Sequence, residues 1–242
     1  MRYDFLQFIR QSLLILSLLG GTSISNADNL NLDPLVPVNR KIYTFNKFVH
    51  AMYITPISMT YSKVMPTAIK TSVGNFLGNF GDIPSGINQG LQGQFKHAAS
   101  DFMRVIINST FGICGIFDVA TPMGFVKYKG DFGQTLMKGG YKQSTYIVLP
   151  ILGPSTVRDG IGLAGNSFVS VPYYLTPKWR NRYLAAQMIH NRSEAQNILD
   201  VIDTAGVDEY ALVRDGYLQQ RQYVSNDGEL PTTDSLLKGP PE

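Results

Sequence analysis

The chain has 242 residues, of which 44% are hydrophobic and 16% are charged, with 13 tyrosines and 13 phenylalanines. This aromatic-rich, charge-poor composition excludes a disordered chain, and the net charge of +3 is too small to indicate a nucleic-acid partner. The length predicts one or two domains, and the single cysteine, Cys114, excludes an intrachain disulfide and a multi-cysteine metal site.

The first 27 residues have the features of a secretory signal peptide. Arg2 and Arg10 flank the start, the short apolar run SLLILSLL follows, and Ser25 and Ala27 are small residues placed for signal peptidase. The apolar run is far shorter than the ~20 residues that a membrane-spanning helix needs. We therefore expect export and cleavage after Ala27.

Prolines and apolar spacing define the first predicted helices. Asp33-Pro34 predicts a helix start with Asp33 as the N-cap. Thr55-Pro56 and Met65-Pro66 each predict the end of one helix and the start of the next, because a proline disfavours helical geometry in the residue before it. Apolar residues at helical spacing predict that one face of the first helix carries Val38, Ile42, Phe45, Val49 and Met52.

The same spacing predicts helices from Pro66, over about 95–109, over about 181–202 and over about 208–224. The YIVL run at 146–149 predicts a short strand, which Pro150 confines to an edge or an extended hairpin. Residues 160–165 match G-x-G-x-x-G, but no strand precedes them and no acidic residue follows about 20 positions on. Close helix packing or a bend is therefore favoured over a dinucleotide site.

Charge is distributed unevenly along the chain. Only 14 of the 130 residues in 48–177 are charged, whereas 17 of the 65 residues in 178–242 are charged. A soluble domain normally spreads charge over its whole surface. The middle block is therefore either simply the core or a region that faces lipid or a membrane partner, where charges are costly.

Seven blocks of polar, glycine and proline residues follow one another from about residue 33 to residue 228, and they cover nearly all of the chain after the predicted signal peptide. The residues that form these blocks include Asp33, Pro34, Arg40, Asn75, Asn79, Pro84, Gln92, Gly93, Arg104, Asn108, Asp118, Asp131, Phe132, Gly133, Thr135, Pro150, Gly153, Pro154, Arg158, Asp159, Tyr210, Arg214, Tyr217 and Arg221.

In this order, the blocks resemble the MlaA/VacJ family of outer-membrane phospholipid-transport proteins, which maintain lipid asymmetry. The resemblance implies a mainly α fold: a compact single-domain helical ring over 28–224 with a central amphipathic channel and a short hairpin. A flexible tail is expected over 225–242. The ring is expected at the periplasmic side of the outer membrane, beside a trimeric porin. It would remove mislocalised phospholipids from the outer leaflet and pass them to a periplasmic lipid-carrier protein, with no cofactor and no catalysed reaction.

A lipid passage needs an apolar wall for the acyl chains and scattered polar groups for the head group, because an unsolvated charge in hydrocarbon is costly. Asn39 and Asn46 lie seven residues apart beside the apolar stripe of the first helix. Their amides either meet a lipid head group or cap neighbouring elements. The candidate passage residues on this helix are Val38, Asn39, Ile42, Phe45, Asn46 and Val49.

The resemblance also implies a hairpin near the channel mouth, at about 123–150. Four lysines in this segment either act as point charges for phosphate groups or are solvated loop residues: Lys127, Lys129, Lys138 and Lys142. The motif arginines Arg40, Arg104, Arg158 and Arg214 are expected to hold aspartates inside the ring. Their partners are to be sought among Asp33, Asp118, Asp131, Asp159 and Asp215.

The sequence departs from the family at one point, because no cysteine stands at the predicted cleavage site. A lipid anchor is therefore not carried over. We expect association with the membrane through the protein's own apolar surface or through docking on a porin. Two alternatives to a transport channel remain: a soluble periplasmic scaffold or lipid-binding protein, and an exported hydrolase that uses one of His50, His97 and His190.

Overall fold

Helices form most of the described chain, which confirms the predicted mainly α fold. The computed structural model describes the backbone of residues 33–204 and 208–225, with side chains for 33–196 and 208–224. The predicted signal peptide, and the predicted tail beyond 225, lie outside the described residues. The helices are α1 Val36–Val49, α2 Thr55–Val64, α3 Thr67–Leu91, α4 Phe95–Thr110, α5 Phe132–Lys138, α6 Val157–Val169, α7 Val171–Tyr174, α8 Pro177–Thr204 and α9 Glu209–Ser225.

The start of α1 differs from the prediction. Leu35 is the N-cap and Pro37 lies in the first turn, so the assignment of Asp33 as the N-cap is wrong. The carboxylate of Asp33 is buried and accepts hydrogen bonds from Asn39 Nδ2, at 2.7 Å, and from the hydroxyl of Tyr210. The local sequence favours Asp33 as an N-cap, but its carboxylate instead binds Tyr210, which lies 177 positions away in the sequence.

The two predicted proline breaks have opposite outcomes. At Thr55-Pro56 the helix continues, because the π-helical segment His50–Ile54 joins α1 to α2 and Thr55 keeps helical dihedrals (φ −61°, ψ −48°). The predicted break there is wrong, and Pro56 directly follows the π-helical segment, at the second residue of α2. At Met65-Pro66 the break is confirmed, since Met65 is extended (φ −82°, ψ 124°) and α3 begins at Thr67.

Helices α3 and α4 make the most extensive helix–helix contact. Gly93, with a φ of +77°, forms the turn between them. Gly86 lets the helices approach closely, since a Cβ there would lie 3.1 Å from the Phe102 ring. Pro84 lies inside α3 without ending it. The predicted helix over 95–109 is confirmed as α4, and those over 181–202 and 208–224 as α8 and α9.

A two-stranded antiparallel hairpin is the β structure of the described residues. Strand β1 is Tyr146–Leu149, as predicted, and it pairs with β2, Gly153–Thr156, in the register Tyr146↔Thr156 to Leu149↔Gly153. The hairpin does not occupy the expected segment 123–150, because Pro150 lies in its turn and the second strand, including Pro154, follows. Left-handed dihedrals at Ile151 (φ +67°) and Gly153 (φ +89°) close that turn.

The G-x-G-x-x-G segment lies within α6 and packs against α5. A Cβ on Gly162 would lie 2.5 Å from the backbone nitrogen of Gly133, and one on Gly165 would lie 2.6 Å from the Phe132 ring. Close helix packing, the reading favoured from sequence, is confirmed. Within the described residues, none of the helices combines the length and the apolar character that crossing a bilayer requires.

Candidate functional site

The described part of the chain has a polar interior. Sixteen polar or charged side chains are buried, against seven hydrophobic ones, of which Tyr146, Val148 and Tyr210 form one cluster with half-buried neighbours. Protein interiors are normally dominated by aliphatic and aromatic side chains. Hydrogen bonds and ion pairs between helices therefore carry much of the packing that a hydrophobic core usually supplies.

The surface also departs from the usual pattern, because it is rich in apolar side chains. Large apolar side chains are exposed on almost every element. Single exposed apolar residues are common in soluble proteins, but contiguous apolar surface indicates a membrane or a partner. Examples on successive elements are Val38, Phe45, Phe48, Met52, Ile57, Ile69, Phe95, Ile106, Phe111, Ile113, Ile161, Leu163, Phe168 and Trp179.

Helix α1 has a buried polar face and a largely exposed apolar face. Val38 and Phe45, seven residues apart, are 52% and 50% exposed, whereas Asn39 and Asn46 are buried. Ile42 is half-buried and packs against the Tyr146 cluster. Val49 is also half-buried. The polar strip of the helix thus points inward and most of its apolar stripe points outward.

The two buried asparagines bind the hairpin backbone. Asn39 donates to Tyr146 O at 3.2 Å and accepts from Val148 N at 2.9 Å. Asn46 donates to Leu149 O at 2.8 Å and accepts from Ile151 N at 2.6 Å. Each amide therefore serves one carbonyl and one N–H, as a neighbouring strand would. The amides are engaged with a neighbouring element, which is the second of the two alternatives left open from sequence.

Arg104 is the centre of a buried cluster between α3, α4 and the following loop. Its side chain is 3% exposed, and its Nε lies 3.2 Å from Asp82 Oδ2, which is itself 1% exposed. Its other nitrogens donate to Asp118 at 2.9 Å, to Thr121 Oγ1 at 2.8 Å and to Phe125 O at 2.9 Å. All three guanidinium nitrogens are thus satisfied, which is the condition for burying an arginine without a large desolvation cost.

Asn108 completes the loop side of this cluster. Its Nδ2 donates to Asp118 at 3.1 Å, and its Oδ1 accepts from the backbone N–H groups of Val119 and Ala120. Burial opposes ionisation of Asp118, but hydrogen bonds from Thr121, Arg104 and Asn108 lower its pKa to about 2.

The lowered pKa of Asp118 predicts a loss of stability in acid. Its ionised form contributes about 2 kcal/mol to unfolding free energy above its ordinary pKa near 3.8, at 1.36 kcal/mol per pKa unit. That contribution disappears as the pH falls through about 2. We expect Asp118→Asn to be less stable than the native chain at pH 6 and to approach it near pH 2, measured by denaturant titration in detergent. Equal differences at both pH values would contradict the assignment.

Asp101 lies beside this cluster and is fully buried. Ser85 Oγ donates to its Oδ2 at 2.6 Å, and Tyr128 N donates to its Oδ1 at 3.0 Å. Burial raises the pKa of this carboxyl group, although both hydrogen bonds favour its ionised form. Ser85 also accepts from Gly130 N at 2.8 Å, so the pair fixes the loop that leads to α5.

A second cluster joins α5, α6 and α9 through Arg221. Its guanidinium lies 2.6 Å from Asp131 Oδ2 and 2.6 Å from Asp159 Oδ1. Burial opposes ionisation of Asp159, but hydrogen bonds from Tyr217 and Arg221 lower its pKa. Arg158 pairs with Asp159 at 3.1 Å. Asp131 also caps α5, accepting from Gln134 N at 2.9 Å.

The start of the described chain is tied to α9. Arg214 lies 2.8 Å from Asp215 and 3.7 Å from Asp33. Arg40 pairs with Asp208, a residue that the sequence-based candidates did not include. Burial of Tyr146, which stacks edge-to-face with Tyr210 and Tyr217, raises its pKa to about 12. Four of the five aspartates expected from sequence pair with one of the four arginines named there, namely Asp33, Asp118, Asp159 and Asp215. The fifth, Asp131, pairs with Arg221 instead.

A network of uncharged side chains joins α3 to α5 and α6. Asn88 Nδ2 donates to Asn166 Oδ1 at 2.7 Å, and Asn88 Oδ1 accepts from Thr135 Oγ1 at 2.9 Å. Gln92 donates to Thr135 Oγ1 at 3.0 Å. Asn88 lies in the same sequence block as Gln92 and Gly93, but Asn166 has no local signal, because a lone asparagine in a helix gives no indication of its partner.

An apolar loop over 111–117 lies between the buried clusters and solvent. Phe111 and Ile113 are exposed, and Ile113 and Cys114 have left-handed φ values of 51° and 56°. A β-branched residue in this conformation is an outlier that requires support from its surroundings. Asn75 supplies it by donating to Ile116 O at 3.2 Å, and Gly115 packs on Asn79 with no room for a Cβ.

The four candidate lysines are not equivalent. Lys127 Nζ lies 2.7 Å from Asp82 Oδ1 and donates to Gly78 O at 3.0 Å, so its charge is used inside the protein. Lys138 lies exposed in the last turn of α5. Lys129 and Lys142 are exposed, and no carboxylate of the described residues lies within ion-pair distance of either.

The three histidines contact different elements. His50 Nε2 lies 3.3 Å from Ile151 O in the hairpin turn. His97 stacks on Tyr128 with ring centroids 3.8 Å apart, and His190 Nδ1 lies 3.4 Å from the hydroxyl of Tyr61. Their contacts give no support to a catalytic group in which two of them act together.

Comparison with known proteins gives a consistent result. Residues 31–224 match the family model described as MlaA lipoprotein. The chain is 30% identical over 224 residues to the intermembrane phospholipid transport system lipoprotein MlaA of Escherichia coli, covering 88% of this chain and 87% of that protein. It is 31% identical over 205 residues to an uncharacterized protein of Rickettsia bellii, covering 84% and 80% of the two chains.

A solved structure has a similar fold. It was determined in work on the structural basis for maintenance of bacterial outer membrane lipid asymmetry. The TM-score is 0.72 at 24% sequence identity, and the match covers 80% of this chain and 99% of the solved one. At this level of identity the similarity establishes the fold.

Proposed function

Because this chain belongs to the MlaA lipoprotein family, we propose that it is a component of an intermembrane phospholipid transport system that acts at the outer membrane and maintains lipid asymmetry. The observation that carries the proposal is the combination of a polar, ion-paired interior with an apolar exterior. We propose no catalysed step, no cofactor and no nucleic-acid partner.

The exposed apolar side chains fit contact with lipid better than contact with water. Burying an exposed Val, Leu, Ile, Phe or Met side chain gains roughly 1.5–3 kcal/mol. Val38, Phe45, Phe111 and Ile113 all lie at least half exposed. Contact with acyl chains would bury these side chains and gain this free energy, whereas contact with water would not. The apolar side chains of the exterior thus support a chain that sits in or against a leaflet without crossing it as a single helix.

The proposal includes a passage for phospholipid through the protein. A helical ring with a central amphipathic channel would take a mislocalised phospholipid from the outer leaflet and deliver it to a periplasmic lipid carrier, with a trimeric porin beside it. Phe45 and Val38 are candidates for contact with acyl chains. The exposed ammonium groups of Lys129 and Lys142 are the candidates for phosphate contact, because Lys127 already serves Asp82.

The decisive experiment compares cells with and without this chain. Deletion should raise phospholipid in the outer leaflet, measured by labelling of surface-exposed phosphatidylethanolamine, and the native gene should restore it. The purified chain should also carry co-purified phospholipid. Normal asymmetry in the deletion strain, together with a lipid-free chain, would favour the periplasmic scaffold instead.

Membrane association is expected to survive concentrated salt. If apolar contact holds the chain at the membrane, salt strengthens that contact slightly while it screens Coulomb attraction. Membrane fractions washed in 1 M salt (about a 3 Å Debye length) should retain the protein. Release by salt alone would mean that the chain is docked electrostatically, for example on a porin.

Phe45→Ala separates packing from transport. A fully buried Phe costs about 3–5 kcal/mol when it is cut to Ala, but Phe45 is half exposed, so roughly half of that loss is expected. Abundance should therefore fall less than for a fully buried Phe, while outer-leaflet phospholipid changes. Abundance and surface phospholipid are measured in the same cells. Normal values of both would contradict a role for this face of α1.

A further inference from the structure

Exposed aromatic rings and cations meet where α6, α7 and α8 join, outside the proposed passage. We call this the junction patch. It consists of Phe168, Tyr173, Tyr174, Lys178, Trp179 and Arg182. Its four aromatic side chains and both cations are exposed.

The rings of the junction patch hold one another in place. Phe168 and Tyr173 have ring centroids 5.3 Å apart, as do Tyr173 and Tyr174. The hydroxyl of Tyr174 donates to Phe168 O at 2.7 Å, although the residue is 75% exposed. Three rings are therefore pre-arranged at the surface with little entropy left to lose on binding.

The cations of the patch have no role in folding that the structure shows. Lys178 and Arg182 lie one turn apart on α8, a spacing at which like charges repel. Lys178 also lies in the first turn of the helix, where the helix dipole disfavours positive charge. Arg182 lies over the Trp179 ring at 5.0 Å, and no carboxylate of the described residues pairs with either cation. Residues 160–193 contain no acidic residue at all.

We propose that the junction patch is an interfacial anchor that binds the head groups of anionic phospholipids. This inference rests on the proposed function, since it presupposes a membrane at this surface. Trp and Tyr side chains prefer the head-group level of a bilayer, and adjacent Lys and Arg side chains attract anionic lipids. The apolar exterior would hold the chain at any bilayer, and the patch would make it prefer a negatively charged one.

Trp179 is the single tryptophan of the chain, so its fluorescence reports on the patch alone. The full chain, purified in detergent and diluted into vesicles, is compared on phosphatidylcholine and on phosphatidylcholine mixed with phosphatidylglycerol. We expect tighter binding, and a larger blue shift of Trp179, on the anionic vesicles. In K178Q/R182Q, binding to anionic vesicles should fall roughly 30-fold, about fivefold per cation, and binding to neutral vesicles should not change.

K41Q/K96Q is the matched control, because it removes two exposed lysines outside the patch. An equal loss in this control would overturn the proposal, since net charge alone would then explain the effect. Trp179 emission that ignores lipid charge while the chain still binds vesicles would also overturn it and leave the proposed function intact. A chain that binds no vesicles would count against the proposed function itself. Millimolar inorganic phosphate should not compete; if it reverses the shift at constant ionic strength, the patch binds free phosphate rather than a lipid surface.

Discussion

Arg104→Met is expected to lower the unfolding free energy by about 3–5 kcal/mol, the range for breaking a buried ion pair. The change leaves Asp82, which is 1% exposed, without the guanidinium at 3.2 Å, and it removes the donor to Asp118 at 2.9 Å. Asp82 then keeps only the partly exposed ammonium of Lys127, at 2.7 Å, as a cationic partner, so its carboxylate either stays charged at a higher cost or takes up a proton. Both results weaken the link between α3 and α4. Denaturant titration in detergent and abundance in cells measure the loss.

Two further variants test that the cost arises at the buried charge. Arg40→Met removes a guanidinium of the same kind from a half-exposed pair with Asp208, and the unfolding midpoint should hardly move. Asp82→Asn combined with Arg104→Met should recover part of the loss, because it removes the buried carboxylate that has lost its guanidinium partner. Equal effects of Arg104→Met and Arg40→Met would contradict the role given to burial.

The sequence predicted helices well and their orientation poorly. Apolar spacing located α1, α3, α4, α8 and α9, because a 3.6-residue period is a local property of the chain. Period alone does not say which face points inward. The usual expectation puts the apolar stripe of α1 in the core, whereas Asn39 and Asn46 are buried and Phe45 is half exposed.

Pairing of charged residues depends on packing that no local pattern encodes. Arg104 and Asp118 are 14 positions apart, but Arg221 finds Asp131 across 90 positions and Asp159 across 62. The arginines and aspartates of the seven blocks can be named from the sequence, but only the helix arrangement fixes which of them meet. Asp82 and Asp101 were not predicted for the same reason. In the sequence each is a single acidic residue of a helix, and nothing near it indicates its partners.

The hairpin differs from the prediction in the place of Pro150. From the sequence, Pro150 confines β1 to an edge or an extended hairpin, and the family resemblance implies a hairpin over about 123–150. Pro150 lies instead in the turn, followed by Ile151 in a left-handed conformation and by β2. The second strand reads GPST, which has little β propensity. It is held by its register with β1, and α1 takes the other edge of β1 through Asn39 and Asn46.

Adjacent residues of α1 should therefore respond in opposite ways to substitution. Asn39→Ala leaves Val148 N and Tyr146 O without the partner that each now has, at 2.9 and 3.2 Å. Each unsatisfied buried group costs about 1–3 kcal/mol, so the unfolding free energy should fall by roughly 2–6 kcal/mol. Val38→Ala, one position away and 52% exposed, should change it by about 0.5 kcal/mol or less.

The pair also separates folding from membrane contact. Val38→Asp keeps the hairpin contacts but places a charge on the outward face, where acyl chains are proposed, so it should fold and leave the membrane fraction more easily. Asn39→Asp should unfold the chain instead, because it puts a second carboxylate within hydrogen-bond distance of Asp33, now 2.7 Å from the amide. Denaturant titration and membrane fractionation are run on all four variants. If Asn39→Ala and Val38→Ala lose the same stability, the buried amide does not hold the hairpin. If Val38→Asp remains in the membrane fraction as firmly as the native chain, the apolar stripe of α1 does not face lipid.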